Sequence, residues 1–189
     1  KRFLLIRTDR IGDTVLTLPA VTTLRKHYPN SFIVFLAQPY TVPLIEQYAG
    51  IDLLLSYEPQ GRHKGWKGFL KLSLELQELN FDAALLFYPR PELAFAMVKA
   101  KIPLRIGSGY RWYSFLLTKQ IYEHRKECKK HEAEYNLSLL EPLLPGKIPQ
   151  PQYEFKQWTP EPWWDDLQTE LKYTDYVIVH PGCGASAPN

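Results

Sequence analysis

Residues 3–16 read FLLIRTDRIGDTVL. Four apolar residues in a row, 3–6, form the pattern of a short strand buried on both faces. Residues 8–12 read as the loop that follows. From Asp13 the period changes: Leu16, Ala20 and Leu24 recur every four residues with Val21 beside them. That spacing predicts one helix reaching Tyr28, stopped by Pro29 and Asn30. Pro19 falls inside it, near the first turn, where proline is best tolerated. A buried strand that turns through a glycine-bearing loop into a helix opens a parallel α/β unit. The loops at the carboxyl ends of such strands are where ligands bind.

Working outward, the same alternation repeats. Strands are predicted at Phe32–Ala37, 53–57, 83–87 and 104–106. Helices are predicted at 42–48, along the Phe69, Leu72, Leu76, Leu79 face, at 92–100 and at 131–144. Residues 61–68, GRHKGWKG, read as a basic, glycine-punctuated loop, and 107–130 is aromatic and basic with weak periodicity. Five prolines between 145 and 162 mark a linker, followed by a short amphipathic helix at 162–171. A new strand at 176–179 leads into the loop HPGCGASAPN. The expected fold class is therefore α/β, a Rossmann-like parallel sheet with helices on both faces. The expected division is an N-terminal domain over 1–145, a linker with a short helix over 146–175, and the first strand and loop of a second domain over 176–189.

Composition narrows the function classes. Apolar residues at 45% and charged residues at 23% suit a folded globular chain. A formal net charge of +3 is too small and too scattered for a nucleic-acid binder, so no nucleic-acid partner is expected. Cys128 and Cys183 lie far apart without a CxxC or Cys/His spacing, which suggests neither a zinc site nor a disulfide framework and fits a reducing cytoplasm. No apolar run approaches the roughly 18 residues of a membrane span.

Two motifs carry chemistry. RTDRIGD, 7–13, places Gly12 and Asp13 at the carboxyl edge of the first strand. Gly12 allows a ligand to approach the backbone closely. Asp13 falls at or near the N-cap of the following helix, and spacing alone reads it first as an ordinary cap. HPGCGAS, 180–186, can turn backbone N–H groups toward a diphosphate, with the Ser186 hydroxyl beside them, or it is a plain strand-to-helix turn.

Together the motifs resemble one family. RTDRIGDTVLTLPAVTTLRKHYP, 7–29, resembles the N-terminal signature of the ADP-heptose:lipopolysaccharide heptosyltransferases, glycosyltransferase family nine. HPGCGASAPN, 180–189, resembles the start of that family's donor-binding domain, and HEAEYNLSLL, 131–140, is similar to the helix before its interdomain linker. The resemblance implies the N-terminal half of a GT-B enzyme, two Rossmann-like domains with the active site between them. It implies an inverting transfer that needs neither metal nor cofactor. Asp13 matches the aspartate of the family's RxGD motif, its general base. Gly12 with Gly182, Cys183, Gly184 and Ser186 would meet a nucleotide-diphosphate sugar of the ADP-heptose type. Pro188 stands where many members carry a basic residue. The rest of the donor domain would lie beyond Asn189.

On the acceptor side, the resemblance turns Arg10, Arg62, Lys64, Lys67, Arg105, Arg111 and His131 toward a phosphorylated, lipid-linked saccharide at a membrane surface. The enzyme would then be cytoplasmic, or peripheral at the inner face of the cytoplasmic membrane. Taken singly, the basic residues read equally as solvated loop charges and His131 as a helix cap. Two other classes stay open: a nucleotide-binding Rossmann protein such as an oxidoreductase, against which stands the absence of GxGxxG after the first strand, and a non-catalytic acceptor-binding or scaffold domain.

Overall fold

A computed structural model of the chain describes residues 1–127 and 129–157, together with 166, 167, 169, 170 and 177. It divides into two units, Lys1–Lys156 and Gln157–Asn189. In the second unit Asp166, Leu167, Thr169 and Glu170 are helical, within the helix expected over 162–171.

Six strands form one sheet: β1 (Arg2–Ile6), β2 (Phe32–Ala37), β3 (Leu53–Ser56), β4 (Ala83–Leu86), β5 (Leu104–Ser108) and β6 (Lys119–Ile121). Every pairing is parallel and the order is β3-β2-β1-β4-β5-β6. The chain winds one way from β1 to β3 and returns to the other side of β1 with β4, so the order reverses between β1 and β4. That reversal is the switch point at which open α/β sheets hold ligands. Ile6 pairs with Leu36 on one side and Leu86 on the other, so three carboxyl ends finish flush beneath the crevice.

The helices are α1 (Ile11–Val15), α2 (Pro19–His27), α3 (Val42–Glu46), α4 (Gly65–Glu78), α5 (Pro91–Lys99) and α6 (Glu132–Ser138). Alternation along β1 sorts them into two layers. Phe3 and Leu5 face a core built with Val21 and Leu24 of α2, Ile45 of α3 and Leu137 of α6. Leu4 and Ile6 face the opposite core, with Leu72 and Leu76 of α4 and Leu93 and Met97 of α5. A strand covered on both sides has no polar face, which is why β1 reads as an unbroken apolar run.

Three expectations are corrected. The single helix over 13–28 is two helices, α1 and α2, separated at 16–18. Pro19 is the cause: it has no N–H to continue α1, yet its fixed φ suits the first position of α2. The basic loop over 61–68 is helical from Gly65. The helix over 131–144 ends at Ser138 and continues only as a 3-10 turn, Glu141–Leu143. One strand, β6, was not expected at all.

Candidate functional site

The site grows from the end of β1. Arg7 accepts no exposure there: it is 4% exposed, and a buried guanidinium must find anions. Its Nε and Nη2 donate to the two carboxylate oxygens of Asp9 at 2.6 and 2.9 Å. The same Nη2 lies 3.0 Å from Oδ1 of Asp13. One buried cation thus holds two carboxylates, Asp9 in the loop and Asp13 in α1. Burial pushes the Asp9 carboxyl above its usual range, and the Arg7 hydrogen bond and charge pull against that shift.

Asp13 is not a helix cap. Arg10 is the N-cap residue of α1 and makes no side-chain cap bond, which puts Asp13 at the third helical position. Its carboxylate turns back to Arg7 and stays one-third exposed. Two hydroxyls tie the short helix down from behind: Thr14 donates to the carbonyl of Arg10 at 3.0 Å and Thr17 to that of Asp13 at 2.9 Å. The loop backbone is pinned as well, by Gln38 Nε2 on the Thr8 carbonyl (3.0 Å) and by the Tyr40 hydroxyl on the Asp9 carbonyl (2.7 Å).

Asn136 of α6 completes the frame. It is buried, and its Nδ2 donates to the Leu16 carbonyl at 3.0 Å and to the Thr17 hydroxyl at 3.2 Å. Its Oδ1 accepts from Arg7 at 3.4 Å and from Arg125 at 3.2 Å. Arg125 in turn pairs with Glu132. A polar chain therefore runs from the Asp13 carboxylate through Arg7 and Asn136 to Arg125.

Beside this chain lies a cleft of about 770 Å³. Arg7 and Asp9 form its β1 side, Tyr88 follows β4, Ser108, Tyr110 and Arg111 follow β5, and His124 and Arg125 follow β6. All come from the carboxyl edge of the sheet. Arg111 makes no side-chain hydrogen bond or ion pair with the described residues. Arg125 is paired with Glu132, and Glu123 and Glu127 line the same cleft, so the cleft offers an occupant the unpaired Arg111 guanidinium, carboxylates and two tyrosine rings. Such a mixed surface suits a hydroxyl-rich ligand, with Arg111 free to meet an anionic group on it.

The sequence-derived residues divide into groups. Gly12, Asp13 and Arg10 stand together at the start of α1. Gly12 faces open space, for a Cβ there would meet nothing within 4 Å. Arg10 is exposed. Arg111 lines the cleft. Arg105 does not: near the opposite end of β5 its guanidinium donates to the carbonyls of Leu116 (2.7 Å) and Ile102 (2.6 Å). Arg62 is engaged by Glu58 at 3.2 Å and by the Ser56 carbonyl at 2.9 Å. Lys64 is the N-cap of α4 and Lys67 sits in its first turn. His131 caps α6 in a reciprocal box with Glu134, Nδ1 accepting from the Ala133 N–H at 3.3 Å. Gly182, Cys183, Gly184 and Ser186 lie outside the described residues.

Sequence reasoning passed over Arg7, Asp9, Asn136, Arg125 and Tyr88. A signal existed for the first three. Charged residues spaced 7, 9 and 13 around one strand–helix turn can meet. An asparagine among the leucines of α6 also has to find partners when buried. Among the described residues no group of three or more His, Cys, Asp or Glu side chains is placed to hold a metal ion.

The sheet order, the reversal at β1 and β4 and the site at that edge define a Rossmann-like α/β domain of the kind that GT-B glycosyltransferases carry. No family model matches the chain. Over its whole length it is 27% identical to a Haemophilus influenzae protein named "Putative glycosyltransferase", covering 56% of that protein. Over 70% of its length it is 27% identical to lipopolysaccharide heptosyltransferase 3 of Escherichia coli, covering 39% of it. Among solved structures it superposes on the glycosyl transferase family 9 protein of Veillonella parvula with a TM-score of 0.75 and 21% identity, over 92% of this chain and 51% of that one. The resemblance carried by RTDRIGD and HPGCGAS is thus borne out: the relatives are glycosyltransferases and heptosyltransferases. The chain spans about half the length of the curated relatives it matches.

Proposed function

We propose that the protein is a glycosyltransferase whose acceptor side is the unit described above, and that Asp13 is its catalytic base. The transfer is inverting and metal-independent. It moves heptose or a related sugar from a nucleotide-diphosphate donor to a lipopolysaccharide-core-like acceptor, with the donor held by the HPGCGAS segment and the domain that follows. The observation that carries this reading is the Asp13 carboxylate, held 3.0 Å from a buried Arg7 at the switch point and left partly open to solvent beside the cleft. An inverting displacement needs one base on the acceptor hydroxyl and stabilisation of the departing diphosphate. Asp13 supplies the first. Arg111, unpaired among the described residues, is the cleft group that would meet a phosphate on the saccharide.

The test is Asp13→Asn in the whole protein, assayed with ADP-heptose and an inner-core acceptor. Loss of a positioned general base costs about 10²–10⁴-fold in turnover, so kcat is expected to fall by that factor with donor affinity unchanged. Near-normal turnover removes Asp13 from the mechanism.

A further inference from the structure

A second cavity lies on the layer formed by α4 and α5. It is a groove of about 780 Å³, walled by Tyr57, Trp66, Phe69, Leu72, Phe95 and Val98. Tyr57 and Leu72 are its buried floor, and its rim is apolar and exposed. Trp66 is 71% exposed, Phe95 40% and Val98 38%, and Leu74 on the outer side of α4 is 57% exposed. Trp66 stacks on Phe69 with ring centroids 5.4 Å apart, so the indole is held outward rather than left loose.

Cations flank this face on both helices. Lys64, Lys67 and Lys71 follow one another at three and four residues along α4, which places them on one stripe of the helix. Lys99 lines the groove from α5 and Lys101 follows it. All five are exposed, and none has an ion-pair partner among the described residues. The nearby carboxylates are occupied: Glu58 and Glu75 by Arg62, Glu92 by Arg90. Glu78 lies two turns beyond Lys71, at the end of α4.

We infer that the α4–α5 face docks on an anionic lipid bilayer. Apolar burial alone would suit many occupants. Five unpaired lysines on the α4–α5 layer, with an outward tryptophan between the two helices' apolar groups, suit a surface that is apolar within and negatively charged at its rim, which is a bilayer interface carrying anionic headgroups. Lysine stems lie along apolar surface while their ammonium groups reach the phosphates, and an indole sits at the headgroup level.

The groove is also well placed for the cleft. Arg90 stands between them, 5.2 Å from the Tyr88 ring on the cleft side and 6.0 Å from the Tyr57 ring on the groove side. A bilayer at the groove would bring a lipid-linked saccharide to the cleft mouth. In that respect the inference deepens the proposed transfer, but vesicle binding does not require it.

The experiment is co-sedimentation of the whole protein with phosphatidylcholine vesicles containing 0 or about 30% phosphatidylglycerol, an anionic fraction chosen to give the surface potential on which basic patches act. Binding is expected only with the anionic lipid and is expected to fall as salt is raised. W66A/F95A and K71E/K99E are each expected to weaken it at least tenfold. Transfer by W66A/F95A to a soluble, delipidated acceptor stays at the level of the unaltered protein. No binding to anionic vesicles, or binding undiminished in both variants, overturns the inference. So does a dimer that W66A/F95A converts to a monomer, because the face is then an interface between copies. Vesicle binding without any transfer would instead sink the proposed function and leave this face standing.

Discussion

At the scale of single residues, the site depends on how one guanidinium is shared. Arg7 is planar and forked, which lets it satisfy Asp9 with two hydrogen bonds and still reach Asp13. A lysine keeps the charge but not the fork. Arg7→Lys is therefore expected to lower kcat by about 10- to 100-fold, the scale of a misplaced catalytic group, with the fold retained by circular dichroism. Arg7→Ala leaves two carboxylates without their cation and is expected to lose about 3–5 kcal/mol of stability, the cost of breaking a buried pair. Asn136→Leu removes the link from α6 to the α1–α2 junction and is expected to lower kcat more than it raises KM. Little of this was legible beforehand. The RIGD motif pointed to Asp13, but a carboxylate near the start of a helix reads as a cap until its third-position geometry is seen. Asn136 acquires its role from residues 120 and 119 positions away, a pairing that no local pattern encodes.

At the scale of elements, the turn before α4 shows what glycine content hides. GRHKGWKG reads as a loop because glycine weakens helices. Gly68 is nevertheless helical, and a Cβ on it would lie 2.1 Å from the His63 carbonyl carbon, so only glycine lets the turn close on the helix. Gly68→Ala is expected to destabilise the protein, seen as a lower Tm, although alanine is the better helix former. His63, which that closure buries, stacks on Tyr57 at 5.7 Å and accepts the Glu58 N–H at 3.0 Å on Nδ1. Burial, with Arg62 nearby, lowers its pKa below the ordinary imidazole value, while Glu75 and Glu58 oppose the shift. The unfolded chain then binds the proton first as pH falls. The stability that neutral His63 contributes is complete above about 6.5 and is lost as pH drops through the folded value. Thermal melts are expected to be flat between pH 7 and 8 and to decline below about 6.5, with a shallower decline in His63→Gln. A decline of equal slope in both proteins would place the titration elsewhere. The strand β6 was illegible for another reason: Lys119 and Gln120 are exposed and Ile121 is only half-buried, so its three residues carry no apolar signal.

At the scale of the whole molecule, the sheet separates stability from chemistry. Phe35 is fully buried in the centre of β2. Phe35→Ala is expected to cost about 3–5 kcal/mol, which for a domain of this size lowers Tm by roughly 10 °C or more. Trp66→Ala, at 71% exposure, is expected to leave Tm nearly unchanged. The buried strands were legible for the reason they are stable: a strand covered on both faces must be apolar throughout. The paired resemblance of two short motifs pointed to the glycosyltransferase fold, while the cleft was not legible, because its walls come from the ends of four different strands.

Arg90 gives the molecule one more property. Its guanidinium lies 5.2 Å from the Tyr88 ring, which walls the cleft, and 6.0 Å from the Tyr57 ring, which walls the groove, so one side chain borders both cavities. Any free energy by which an occupant of one shifts that side chain is returned in equal measure to the other. Were an occupant of either cavity to displace Arg90, membrane attachment and acceptor affinity would no longer be independent constants: whatever factor the bilayer added to saccharide binding, the saccharide would add to residence on the bilayer.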